Sequence, residues 1–200
     1  MDYSVYELPP PSSPAPHPSP PDPLPDSAER SVKVLVVGGF GVGKTTLVDS
    51  VSEIRPLRAA AGTGPRVAVD VGRVTCGGRL VLYLFGPPGQ QHLWFLLDGV
   101  LDGAIGAVVL VDTRRLHDSF PAVDRLERGG VPFVVAANLF PDAPLCPAGD
   151  LRATLDLPGS VPVVTCDARR TGSSRGVLLT LLRHLHTTAP RRDTPPRRAM

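Results

Sequence analysis

The chain has 200 residues, with 24 prolines, 20 glycines, 42% hydrophobic, 5% aromatic and 20% charged residues and a formal net charge of +2. The ends are unlike the middle: residues 1–30 are proline-rich and acidic, residues 190–200 are rich in arginine and proline, and both read as solvated tails around one compact domain over residues 31–189. No apolar run nears the ~18 residues that span a bilayer, no secretory leader opens the chain, and the near-neutral middle argues against a nucleic-acid surface, so the expectation is a cytoplasmic protein.

Cys76, Cys146 and Cys166 are odd in number and widely spaced, so they read as reduced thiols rather than a disulfide frame or zinc site. The histidines form no metal-ligand spacing, and no Ser/His/Asp or Cys/His constellation is legible.

The proline-rich stretch at 9–26 reads as an extended spacer, with a PxxP ligand as the less favoured alternative. Residues 32–37 (VKVLVV) predict a first strand that ends at glycines, and 45–53 a helix. The segment 58–66 (RAAAGTGPR) is expected to be a mobile loop. Residues 67–74 and 79–85 predict an antiparallel hairpin about Gly77-Gly78. A helical pattern follows at 91–101, then apolar runs at 104–111, 131–137 and 161–165, separated by helical patterns at 118–128 and 149–156 and followed by one at 173–187. Continuous apolar runs suit strands buried on both faces. The alternation predicts an α/β fold: a mostly parallel six-stranded sheet with one antiparallel hairpin strand and helices on both faces.

The strongest motif lies between the first strand and the first helix. Residues 38–46 read GGFGVGKTT, and Gly38, Gly43, Lys44 and Thr45 fill the GxxxxGK[ST] pattern in its required strand–loop–helix context. Gly38, Gly41 and Gly43 allow successive backbone N–H groups to turn toward a phosphate. Gly39, Phe40, Val42 and Thr46 complete the nucleotide-binding stretch. The following helix adds its positive N-terminus. Lys44 is expected on the terminal phosphates and Thr45 on a Mg²⁺ ion. A P-loop NTPase binding a purine nucleoside triphosphate follows.

With these motifs in place, the chain resembles the Ras-like small GTPases. It looks most like the actinobacterial CvnD-type proteins, relatives of the bacterial MglA polarity switch, encoded beside a sensor-kinase-like protein and a roadblock protein. The likeness spans about residues 31–187 and rests on KVLVVGGFGVGKTTLVDSVSEIRPLR, VAVDVGR, LVLYLFGPPGQQHLWF, GAVVLVDTRRLHDSFPAVDRLERGGVPFVVAAN and VPVVTCDAR. What it implies is a switch: GTP with Mg²⁺ orders two loops, a partner reads them, and hydrolysis to GDP releases them. A roadblock-type protein within a sensor-kinase-like complex is the implied partner, and any membrane association would be peripheral, through partners.

The resemblance carries over residue by residue. In Gly86-Pro87-Pro88-Gly89-Gln90, Gly89 fits the γ-phosphate-sensing glycine and Gln90 the catalytic, water-positioning glutamine, but Gly86 stands where the family has a Mg²⁺-linked Asp. Weaker Mg²⁺ binding or a different acid is implied. Asp112 resembles a Walker B aspartate by pattern, with a strand-end turn residue the favoured alternative, and Asp70 is a weaker candidate. Thr63 is aligned with the first-switch threonine that caps Mg²⁺, while another alignment puts Arg66 there. Phe40 stands where the family has a small glycine beside the attacking water, which implies slow intrinsic hydrolysis. For the base, Asn138 matches the family asparagine, Pro141 stands at the recognition-Asp position with Asp142 one residue late, and Asp167-Ala168 resemble the loop facing the guanine O6. Trp94, in the implied second-switch helix, is the residue assigned to the partner.

Overall fold

The structure, a computed structural model, describes residues 30–55, 57–61, 67–89, 99 and 101–188. In chain order the elements are β1 (Arg30–Val37), α1 (Lys44–Val51), β2 (Leu57–Ala61), β3 (Val67–Cys76), β4 (Leu80–Gly86) and β5 (Ala104–Val111). A single 3₁₀ turn (Leu116–Ser119) then leads into α2 (Phe120–Arg128), followed by β6 (Phe133–Asn138), α3 (Ala148–Thr154), β7 (Val163–Cys166) and α4 (Thr171–Thr188).

The strands form one sheet in the order β2-β3-β4-β1-β5-β6-β7. β1 pairs in parallel with β4 and β5, and β5–β6–β7 continue in parallel. Only β3 runs against its neighbours, pairing antiparallel with both β2 and β4. The α/β class, the parallel order and the single reversed strand are as the sequence predicts. The sheet is one strand wider, because Leu57–Ala61, of which residues 58–61 belong to the expected loop, pairs along β3. LRAAA carries little β-branched signal, and it is the backbone pairing offered by the β3 edge that makes it a strand. β1 also begins at Arg30, one residue before the expected domain start, with the Arg30 amide donating to the Arg79 carbonyl.

Strand side chains alternate faces, and each face is covered. Val34, Val36, Val108, Leu110, Val134 and Ala136 pack with Leu47 and Val48 of α1 and Val177, Leu178 and Leu181 of α4. On the other face Leu35, Val37, Val109, Val111 and Val135 meet Ala122, Val123 and Leu126 of α2 and Leu151 of α3. This double burial explains why β1, β5 and β6 read as unbroken apolar runs. β1 and β5 are parallel neighbours whose following helices lie on opposite faces, α1 on one and α2 on the other, and the crevice at the C-terminal end of β1 is where such sheets bind ligands. The loop at 38–43 fills that crevice. No helix among the described residues is long and apolar enough to cross a membrane.

Candidate functional site

The loop between β1 and α1 owes its path to glycine. Gly43 caps α1 at φ +101°, a left-handed conformation, and a Cβ there would come within 2.6 Å of the Asn138 amide nitrogen. α1 then starts at Lys44, with the Leu47 amide donating to the Gly43 carbonyl at 2.9 Å.

Lys44 is buried, and its ammonium donates to the carbonyls of Gly38 at 3.0 Å and Gly39 at 2.7 Å. Burial pulls its pKa down to about 8, and the charge of Asp70 acts in the opposite direction. Thr45 donates its hydroxyl to Asp70 Oδ2 at 2.5 Å. Gly89 closes the far wall: a Cβ there would lie 2.5 Å from the Gly39 carbonyl and 2.6 Å from Lys44 Nζ. Phe40, Gly41, Gly43, Lys44, Thr45, Thr46, Asp70, Gly86, Pro87, Pro88 and Gly89 line one open cleft of about 430 Å³. The cleft thus offers a cation, a helix N-terminus and backbone N–H groups to an anion, and a hydroxyl beside a carboxylate to a hard cation. That all-oxygen pair fits Mg²⁺, which takes one or two protein oxygens together with phosphate oxygens and water.

The outer rim is tied to the next loop. Phe40 is 64% exposed at the cleft mouth, and its carbonyl accepts from Arg115 at 3.2 Å. Asp112, 3% exposed at the end of β5, accepts from Arg114 Nε at 2.9 Å and Nη2 at 2.8 Å, and from the Arg114 amide at 3.0 Å. These bonds hold its carboxyl below the usual carboxylate range. Asp112 is therefore a turn residue outside the cleft, the alternative the sequence favours over a Walker B role.

On the side expected to meet a base, Asn138 is a clamp. Its amide nitrogen donates to the Val42 carbonyl at 2.9 Å, and its oxygen accepts from the Ala168 amide at 3.0 Å. The Ala168 N–H, read from the sequence as a donor to guanine, is thereby engaged by Asn138. Asp167 accepts from Arg169 Nε and Nη2 and from the Arg169 amide, and its own amide donates to Ser173 Oγ. The Arg169 fork is the first cause of an Asp167 pKa below its ordinary value. Asp142 is exposed and acts electrostatically on Arg114, whose guanidinium lies 4.2 Å from the centre of the Phe140 ring.

The structure thus brings together the residues of 38–46, Gly89, Asn138 and Ala168. Gln90, Thr63, Arg66 and Trp94 lie outside the described residues. Asp70, the weaker acid candidate of the sequence, lines the cleft beside Thr45 and stands opposite Gly86 in the β3–β4 ladder.

Comparison with solved structures supports the fold. The G domain of the Thermotoga maritima FeoB iron transporter is matched at a TM-score of 0.60 and 18% identity, over 80% of this chain and 100% of that one. The Arl6 BBS3 small GTPase of Trypanosoma brucei, solved with the nucleotide analogue GppNp, is matched at 0.62 and 20% identity, over 79% and 99%. An uncharacterized protein of Methanocaldococcus jannaschii is 29% identical over 109 residues, 54% of this chain and 69% of the relative. The family model described as "Conserved hypothetical ATP binding protein" matches residues 63–188, more than half of the chain, and the chain belongs to that family.

Proposed function

We propose that this chain is a small GTPase-like molecular switch that binds GTP or GDP with Mg²⁺ and hydrolyses GTP slowly, with help from a partner. The observation that carries the reading is the placement of Lys44: a buried ammonium held over the Gly38 and Gly39 carbonyls, at the head of a helix and against Gly89. A triphosphate entering the cleft meets this cation and the loop N–H groups together. Thr45 would hold the Mg²⁺, which supplies charge neutralisation of the phosphates. Gln90 follows Gly89 in the chain and is assigned the water-positioning role by resemblance.

As a CvnD-type switch it would act in the cytoplasm in a bacterial signalling complex, read by a roadblock-type protein alongside a sensor-kinase-like one. Trp94 is the residue we assign to that contact.

A second reading rests on the base side. Pro141 offers no acceptor where guanine recognition needs a carboxylate, and Asp142 is exposed within the field of Arg114. The family's description as ATP binding agrees with a site that takes either purine. In that reading the chain is a non-hydrolysing nucleotide-binding adaptor.

Competition of GTP, GDP and ATP against a fluorescent guanine nucleotide, with and without Mg²⁺, separates the two. Guanine selectivity, abolished in Lys44→Ala together with all binding, supports the switch. Equal competition by ATP supports the adaptor. An absence of binding to the wild-type chain overturns both.

A further inference from the structure

We infer that Arg115, in the loop after β5, is a positioning residue for the phosphate site: it holds the Phe40–Gly41 peptide in the orientation that aims the Gly41 N–H at an anion. The inference rests on the nucleotide reading above and assigns a residue outside the cleft. Three observations converge on it.

The first concerns the carbonyls of the phosphate loop. Those of Gly38 and Gly39 accept from Lys44, that of Val42 from Asn138 and that of Gly43 from the Leu47 amide. The Phe40 carbonyl accepts from Arg115 Nη2 at 3.2 Å. In a trans peptide the C=O and the following N–H point to opposite sides. Phe40 and Gly41 line the cleft and Arg115 does not. With the Phe40 carbonyl tied to Arg115, the Gly41 N–H is therefore turned the other way, toward the cleft.

The second is the freedom of that peptide. Gly41 sits at φ +72°, and glycine takes either sign of φ at little cost. A Cβ built on Gly41 would meet only Arg115 Nη2, at an ordinary contact distance of 3.7 Å. Sterics thus leave the peptide free to present either its N–H or its C=O to an anion, and the hydrogen bond from Arg115 decides between them.

The third is the anchoring of Arg115 itself. Its amide donates to the Asp112 carbonyl at 2.9 Å, and its carbonyl accepts from the Asp118 amide at 3.1 Å. Its guanidinium lies between two carboxylates, 3.6 Å from Asp112 Oδ2 and 3.8 Å from Asp118 Oδ2. This loop stands hard against the phosphate loop, since a Cβ on Gly39 would come within 2.7 Å of Asp118 Cβ. Arg114 commits its fork to Asp112, whereas Arg115 has N–H groups to face both acids and still serve Phe40. Its side chain is 45% exposed, while Lys44 and Asn138 are buried, so this brace can be altered without opening the core.

The test compares wild type, Arg115→Met, Arg115→Ala and Arg115→Lys. Methionine keeps the aliphatic stem and drops the donors; lysine keeps the charge and a donor. GDP affinity in MgCl₂ is read by calorimetric titration at low and high salt, and the Gly41 amide is followed by ¹⁵N–¹H spectroscopy. Arg115→Met and Arg115→Ala are expected to bind GDP roughly 10–100-fold more weakly than wild type at both salt concentrations. In both, the Gly41 amide should lose the shift that GDP induces in the wild type, while the Gly43 amide keeps its own. Arg115→Lys should recover most of the affinity and of the Gly41 shift. Arg115→Met carries the test if the alanine variant does not fold. Wild-type affinity in Arg115→Met overturns the inference while nucleotide binding stands. So does weaker binding with an unchanged Gly41 shift, and so does a loss that vanishes at high salt, which would make Arg115 a distant charge only. A wild-type chain that binds no GDP overturns the nucleotide reading, and this inference falls with it.

Discussion

Asn138 at the end of β6 and Val42 in the phosphate loop are 96 residues apart in the chain, yet the Asn138 amide donates to the Val42 carbonyl at 2.9 Å. The same side chain accepts from Ala168 at 3.0 Å, so one buried amide locks the loop after β1 to the loop after β7. Asn138→Ala leaves a buried carbonyl and a buried N–H without these partners, at a cost of about 1–3 kcal/mol each. We expect a lower urea midpoint and, because the phosphate loop loses its brace, weaker nucleotide binding in the same protein. An alanine variant that melts like the wild type would show that the clamp adds nothing to the fold.

Asp112 gives the pH prediction. The Arg114 hydrogen bonds hold its folded-state carboxyl below the ordinary value of 3.8. Its contribution is therefore complete above that value and is lost as the pH falls through the lowered one. Asp112→Asn should cost about 1–2 kcal/mol at neutral pH, in line with a charge-assisted pair. The gap between the two proteins should narrow as denaturation is repeated at lower pH. A gap of constant size from pH 7 to pH 2.5 would exclude the ionised fork as its source.

Gly89 tests the closeness of the two walls of the cleft. A methyl group there would sit 2.5 Å from the Gly39 backbone and 2.6 Å from the Lys44 ammonium, nearer than any real Cβ contact. Backbone cannot yield as a side-chain end can, so Gly89→Ala must push the 86–89 loop outward. The resemblance gives the Gly89 N–H to the γ-phosphate, so the substitution should lower affinity for the triphosphate more than for the diphosphate. Calorimetric titration with a non-hydrolysable triphosphate and with a diphosphate reads the difference. Equal losses for both would place the clash away from the third phosphate.

The phosphate loop was legible because GGFGVGKTT concentrates constraints that only a few residue types meet: positive φ at Gly43 and a lysine within reach of two loop carbonyls. β5 and β6 were legible for a different reason, since burial on both faces leaves an unbroken apolar run. β2 was not, because an edge strand of LRAAA is specified by its partner β3 rather than by its own side chains. Asp70 was hidden in the same way. Its place opposite Gly86 and its contact with Thr45 are properties of pairing rather than of local sequence. Asp112 shows the converse: its motif context resembles a Walker B acid, while its bonds to Arg114 make it a turn.

Phe40 carries the last prediction. Its ring is 64% exposed at the mouth of a cleft that also contains Lys44, Thr45 and Gly89. The resemblance aligns Phe40 with the glycine that the family's switches place beside the attacking water, so the ring is expected to obstruct the approach of water or of a partner's arginine to the third phosphate. Phe40→Gly removes the obstruction and almost no packing, so stability should change by no more than ~0.5 kcal/mol. The single-turnover rate of GTP cleavage should rise by roughly tenfold, a barrier change of about 1.4 kcal/mol. Phosphate release from preloaded protein measures this directly, with Gln90→Leu in the same background as the control. If Phe40→Gly cleaves no faster than the wild type while binding GTP equally well, the ring is not what limits turnover, and the adaptor reading gains over the slow enzyme.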